Sequence, residues 1–227
     1  MVDVAGARVV AVLTRAPSSG GKTRLFEALG CAPDPRLLTA LLLDTLDGAA
    51  APGVSRVVSV TPGSACSEVR SLVPPDVDVM PQPDGPPGGP LDGTLGERMR
   101  STFASLLENG ARAVVLIGSD LPAMTPAIVA TAFQILERDP GALVLGPAAD
   151  GGYYLIGATR VPPVFGGIEW GSQLVLAQTK AAAAAAGLRV SLVDELADVD
   201  TPGDLRRVAR NQPASRTALS AKDGRQE

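Results

Sequence analysis

The chain has 227 residues, 45% of them hydrophobic, which suits one large domain with a substantial core. Its formal net charge of −4 offers no basic face for DNA or RNA and no polybasic run for an anionic membrane. It contains no histidine, so Ser-His-Asp and Cys-His catalysis and His-ligated zinc sites are excluded.

Strand-like and helix-like segments alternate, the pattern of an α/β fold. Arg8–Thr14 reads as a buried strand and runs into a turn, Arg15 to Thr23, that holds Gly20, Gly21 and Lys22. A strand feeding a Gly-rich turn with a Lys can hold phosphates: backbone N–H groups cradle the oxygens and the ammonium neutralises them. Lys22–Leu29 reads as a short helix. Asp34 and Pro35 open a longer one, with Leu37, Leu38, Leu41, Leu42 and Leu46 in one stripe. Val54–Val60 is the second strand, and Ser64 is expected to cap the helix after it. Pro81–Gly93 is a Pro/Gly-rich loop, read as an insertion or a lid. Thr94 and Glu97 form a capping box for a helix to Glu108.

Ala113–Ile117, the most hydrophobic strand, ends at Gly118-Ser119-Asp120-Leu121-Pro122. Thr125 and Pro126 open the next helix. Ala142–Leu145 and Tyr153–Gly157 are strands with Asp150-Gly151-Gly152 between them. Gly171–Gly187 reads as an Ala-rich helix, Arg189–Val193 as the last strand, and Thr201-Pro202 as the start of the last helix. From Gln212 the tail is polar and is expected to be disordered. Cys31 and Cys66 lack metal-ligand spacing and read as reduced thiols of a cytoplasmic protein. No apolar stretch reaches the length of a membrane span, and no signal peptide is apparent.

With Ala16 in place of the first Gly, the turn matches the P-loop pattern G-x-x-x-x-G-K-S/T, in which Lys22 would reach phosphates and Thr23 a magnesium ion. Gly30 and Pro33, however, break the helix that such a loop needs. Later segments point elsewhere. Lys22-Thr23-Arg24-Leu25, Gly118-Ser119-Asp120-Leu121-Pro122, Gly146 to Gly157, Trp170-Gly171-Ser172 and Asp198-Val199-Asp200-Thr201-Pro202 occur in that order. Together they resemble the bacterial GT-A glycosyltransferase-like family, some of whose members are labelled arsenosugar-biosynthesis glycosyltransferases. More distantly, they resemble guanylyltransferases that activate phospholactate and molybdenum-cofactor nucleotidyltransferases. The resemblance implies one Rossmann-like GT-A domain over residues 1–210, with a mostly parallel central sheet and helices on both faces, ahead of the tail at 211–227.

Ligands in such sheets sit beyond the carboxyl ends of the strands. Arg15, Gly20, Gly21, Lys22, Thr23, Arg24 and Ser119 are expected to bind a nucleotide there. Asp120, Lys22 and Arg24 are the candidate catalytic groups. Lys22 and Arg24 sit at a helix start, an unfavourable place for cations unless an anion joins them. GT-A glycosyltransferases usually carry Asp-x-Asp, whereas here position 118 is Gly, so a second metal ligand must come from elsewhere. Asp150, Asp198 and Asp200 are available, and the expected ligands of Mg²⁺ or Mn²⁺ are Asp120, Asp150 and Asp200. Asp150, Gly151, Gly152, Tyr153 and Trp170 are expected to meet the acceptor. The expected activity is a metal-dependent transfer from a nucleotide-activated substrate to a small-molecule acceptor. Glycosyl transfer is placed first and nucleotidyl transfer second, ahead of a P-loop kinase or NTPase and of a non-catalytic nucleotide-binding module.

Overall fold

The computed structural model describes residues 4–82 and 94–223. Its strands are β1 (Arg8–Arg15), β2 (Val54–Thr61), β3 (Val77–Pro81), β4 (Ala113–Gly118), β5 (Ala142–Pro147), β6 (Tyr153–Ala158) and β7 (Arg189–Leu192). They form one sheet in the order β3-β2-β1-β4-β6-β5-β7. Only β6 runs against its neighbours β4 and β5; the other pairings are parallel. Among the described residues the helices are α1 (Thr23–Leu29), α2 (Pro35–Gly48), α3 (Cys66–Leu72), α4 (Leu95–Glu108), α5 (Pro126–Arg138), α6 (Val175–Ala185), α7 (Pro202–Asn211) and α8 (Arg216–Asp223).

Helices cover both faces, so the central strands are apolar almost throughout. Alternate residues of β1 enter different cores. Val10 and Val12 pack with α2, α3 and α5, while Val9 and Ala11 pack with α4 and α6. A third cluster joins Leu25 and Phe26 of α1 to Leu37 and Leu41 of α2, Leu205 of α7 and Ala218 of α8. Four of the caps expected from sequence are in place. The Asp34 side chain accepts from Arg36 N, Thr125 caps α5, and Thr94–Glu97 and Thr201–Asp204 form capping boxes.

Four local expectations change. Ser64 lies inside a short 3₁₀ turn, Gly63–Ala65, and Ala65 precedes α3 without a side-chain cap. Strand β3, unforeseen, pairs with β2 and ends in Pro81, where the loop was expected to begin. Residues 83–93 of that loop lie outside the described residues. Helix α6 starts at Val175, four residues late, because Gly171 has a φ of 85° and Ser172–Leu174 form turns. Within the tail expected to be disordered, Arg216–Asp223 form α8: the Asp44 carboxylate accepts from the Thr217 backbone (2.8 Å) and hydroxyl (2.7 Å). Among the described residues no helix is long and apolar enough to cross a membrane.

Candidate active site

The parallel strands direct their carboxyl ends to one edge, and the antiparallel β6 begins there. The loop after β1 is pinned by Ala16 N–H to the Thr61 carbonyl (2.9 Å) and by Ser18 N–H to Glu68 Oε1 (2.9 Å). It then takes three positive φ values in a row, 71° at Gly20, 143° at Gly21 and 50° at Lys22. Glycine adopts these freely, but a side chain in the left-handed region costs about 1–2 kcal/mol. Lys22 is the one described non-glycine residue there. Strain of this kind persists where the surroundings demand it. Here the demand is visible: the Lys22 ammonium pairs with Asp120 and Asp200 and lies 3.9 Å from Asp198. Helix α1 is only seven residues long and starts from this left-handed lysine, so the P-loop reading fails.

Asp120 follows β4 by two residues. The next residue, Leu121, is buried and its N–H donates to the buried Thr45 hydroxyl (2.9 Å), which fixes the turn. A Cβ at Gly118 would lie 2.9 Å from Asp120 Oδ1, so a side chain at the first position of Asp-x-Asp would displace the Asp120 carboxylate from where it stands. Val199 N–H donates to the Asp120 carbonyl (3.2 Å), stitching the segment after β7 to the end of β4. Val199 itself is fully buried, so its extended neighbours Asp198 and Asp200 share the opposite side and face Asp120. Capping of α7 falls to Thr201, which leaves the Asp200 carboxylate to Lys22.

Oxygens of Asp120, Asp198 and Asp200 all lie within 4.8 Å of one another. Asp150, expected in this cluster, stands outside it; its Oδ1 accepts from Gly152 N–H (2.9 Å) in a tight turn. Burial alone would lower the pKa of Lys22, but Asp120 and Asp200 outweigh it and hold the pKa above the ordinary lysine value. Asp198 is pushed up to about 7 by burial first, then by the like charges of Asp120 and Asp200, against the pull of Lys22. Three convergent carboxylates without thiolate or imidazole suit a hard divalent cation.

Beside the cluster lies a cavity of about 340 Å³. Because β4 stands between β1 and β6, Asp120 divides the cavity's surroundings in two. On one side are Leu13, Thr14 and Arg15 of β1. On the other are Asp150, Gly152, Tyr153 and the Trp170–Ser172 turn. Gly151 supports that turn from behind: its φ is 90°, and a Cβ there would meet the Gln173 carbonyl at 2.3 Å. Tyr153 meets Trp170 edge-on at 6.4 Å, and burial holds its phenol above the ordinary pKa. Tyr154 also lines the cavity, its hydroxyl donating to the Asp194 carbonyl (2.7 Å). Ser119 is half-buried between Gly118 and Asp120, whereas Thr23 and Arg24 are exposed and do not line the cavity.

Among the polar side chains that line the cavity, Gln82 and Arg98 escaped the sequence. Gln82, just after β3, is buried, and its amide donates to the Thr14 (3.2 Å) and Ser59 (3.0 Å) carbonyls. Arg98 Nη1 donates to Gln82 Oε1 (3.4 Å). Neither carries a motif, and Arg98 stands beside a capping glutamate that accounts for its neighbourhood locally.

A Gly-rich loop thus faces a carboxylate cluster at the carboxyl edge of this sheet, and the comparisons with known proteins make the chain a transferase. The chain belongs to the family described as an uncharacterized protein conserved in bacteria, DUF2064, whose model matches residues 45–172. It is 36% identical over 212 residues to the phosphoenolpyruvate guanylyltransferase of Geodermatophilus obscurus, covering 91% of this chain and 89% of that one. It is 32% identical over 215 residues to the 3-phospho-D-glycerate guanylyltransferase of Phenylobacterium zucineum, covering 92% and 93%. A crystal structure from Desulfovibrio desulfuricans G20, described provisionally as a nucleotide-diphospho-sugar transferase, superposes with a TM-score of 0.79 at 28% identity over 96% of both chains. The CTP complex of CMP:2-keto-3-deoxy-manno-octonic acid synthetase shares the fold, with a TM-score of 0.56 at 17% identity over 96% of this chain and 100% of that one.

Proposed function

We propose that the protein is a nucleotidyltransferase that joins a nucleoside triphosphate, GTP in the first place, to a small phosphorylated carboxylic acid. A phosphate oxygen of the acceptor attacks the α-phosphorus, the α–β anhydride bond breaks and pyrophosphate leaves. The observation that carries this reading is the Asp120–Asp198–Asp200 cluster with Lys22, set between the β1 loop and the Asp150–Trp170 side of the cavity. The two guanylyltransferase relatives, whose named acceptors are phosphorylated three-carbon acids, support the same choice. The order expected from sequence, glycosyl before nucleotidyl transfer, is therefore reversed.

Asp120, Asp198 and Asp200 would hold Mg²⁺ or Mn²⁺, which supplies neutralisation of the triphosphate and of the leaving pyrophosphate. The loop N–H groups around Gly20 and Gly21 orient phosphate oxygens. Lys22 supplies a fixed positive charge at the same point, and Arg15 adds a second. Asp150, Gly152, Tyr153 and the Trp170–Ser172 turn form the acceptor side. The test is pyrophosphate release from each of the four NTPs with phosphoenolpyruvate or 3-phosphoglycerate and Mg²⁺ or Mn²⁺. Release with GTP and one of these acceptors is expected. Turnover of nucleotide-sugars without pyrophosphate release would return glycosyl transfer to first place.

A further inference from the structure

Trp170 separates two hollows. The second, of about 680 Å³, is lined from the adjoining face of α4 by Glu97 and Arg100 and from the facing loop by Pro162, Pro163 and Phe165. Among the described residues, Trp170 alone lines both hollows. Its position leaves it little freedom. A Cβ on Gly96, in the first turn of α4, would come within 2.6 Å of the indole Cζ2, 2.9 Å of Cε2 and 3.0 Å of the Phe165 carbonyl oxygen. The indole thus rests on bare helix backbone, with the Tyr153 ring edge-on to it. Both aromatic residues stand on the β6 side of Asp120, away from the β1 loop.

We infer that Trp170, seated on Gly96, is the end wall of the acceptor side and sets the length of phosphorylated acid that the enzyme accepts. The inference rests on the nucleotidyl-transfer reading above. Three-carbon acids fit within the wall. Longer phosphorylated acids need the space beyond it, which an indole-to-methyl change would join to the cavity. A contact of this kind discriminates by shape, and one methylene more or less in a fitted apolar pocket is worth about 10- to 200-fold. Gly96 is the positioning residue: any side chain there must push the indole off its seat.

Trp170 is the only tryptophan in the chain, so its emission reports on the wall directly. Titration of the wild-type protein with 3-phosphoglycerate in Mg²⁺ should change that emission with the same midpoint as the acceptor's thermal shift. Acceptor binding with unchanged emission overturns the inference. Binding of no phosphorylated acid at all overturns both the inference and the reading beneath it. In pyrophosphate-release assays, Trp170→Ala should raise the kcat/KM ratio of 6-phosphogluconate to 3-phosphoglycerate by about tenfold or more, with the KM for GTP held within about twofold. An unchanged ratio overturns the wall. Gly96→Ala should lower kcat/KM for 3-phosphoglycerate about tenfold in the wild type and less than about twofold in the Trp170→Ala background. Equal losses in both backgrounds would mean that Gly96 acts on the helix and not on the indole. If the wild type binds the acid with an emission change but releases no pyrophosphate, the wall stands and the nucleotidyl reading fails.

Discussion

At the β1 side of the cavity the chain gathers charge; at the Trp170 side it gathers ring surface. The first side draws Lys22, Asp120, Asp198 and Asp200 from three loops and holds them by backbone stitches, the Val199 N–H to Asp120 carbonyl bond above all. The second side is set by contact, an indole against a glycine and an edge-on tyrosine. Both depend on a bare backbone position: Gly118 leaves room for the Asp120 carboxylate and Gly96 leaves room for Trp170. The charged side can therefore be altered by one atom or one proton, whereas the aromatic side answers to volume.

The sharpest way to break the comparison is Asp120→Ala, expected to cut pyrophosphate release about 10³-fold and to abolish the stabilisation by Mn²⁺ seen in a thermal melt. A variant that keeps its Mn²⁺ shift would place the cation elsewhere. Lys22→Met should cost about 10²-fold in kcat/KM, because it removes the fixed charge at the phosphates. Retained activity there would reduce Lys22 to a structural counter-ion.

Protonation supplies the third test. The pKa of Asp198 in the folded protein, about 7, exceeds the ordinary value of 3.8, so between these values the folded state holds a proton that the unfolded state lacks. Stability without divalent ions should therefore fall as pH rises from about 4 to about 7 and level off above. Affinity for Mg²⁺ or Mn²⁺ should run the other way, rising up to about tenfold per pH unit below pH 7. Melting curves across pH, with chelator and with Mn²⁺, check both slopes; parallel slopes would remove Asp198 from the ion site. Gly118→Ala should lower kcat/KM about tenfold by crowding Asp120 Oδ1, with little change in melting temperature. Asp44→Ala, at a residue that lines neither hollow, should lower stability by about 2 kcal/mol through loss of the α8 contacts and leave KM for either substrate unchanged.

Much of the frame was legible because its signals are local. Asp34, Thr94, Thr125 and Thr201 cap helices through hydrogen bonds to backbone two or three residues away. Strands β1 and β4 announce themselves by unbroken apolar runs. Strand β3 did not, since only Val77 and Met80 of its five residues are buried. Helix α8 was missed for a related reason: it is held by Asp44, more than 170 residues away, and by little apolar surface of its own. In the site, Asp120 stood out by its place after a buried strand. Asp150 was expected in the cluster ahead of Asp198, the reverse of what the fold brings together, because nothing local to either reports its distance to Asp120.

Composition and local pattern set the α/β alternation, the Gly-Gly-Lys turn after β1, the want of imidazole and the pool of carboxylates from which a site could be drawn. These follow from composition, from apolar period and from hydrogen bonds within a turn of chain. Only the tertiary structure decided that Asp198 and not Asp150 joins Asp120 and Asp200, that Lys22 turns inward while Arg24 stays in solvent, and that Trp170 lies against Gly96. Those choices depend on strand order and on the Val199 N–H to Asp120 carbonyl bond between the segments that follow β7 and β4, which bring residues about 80 and 180 positions apart into contact. Chain separation on that scale leaves no periodic trace.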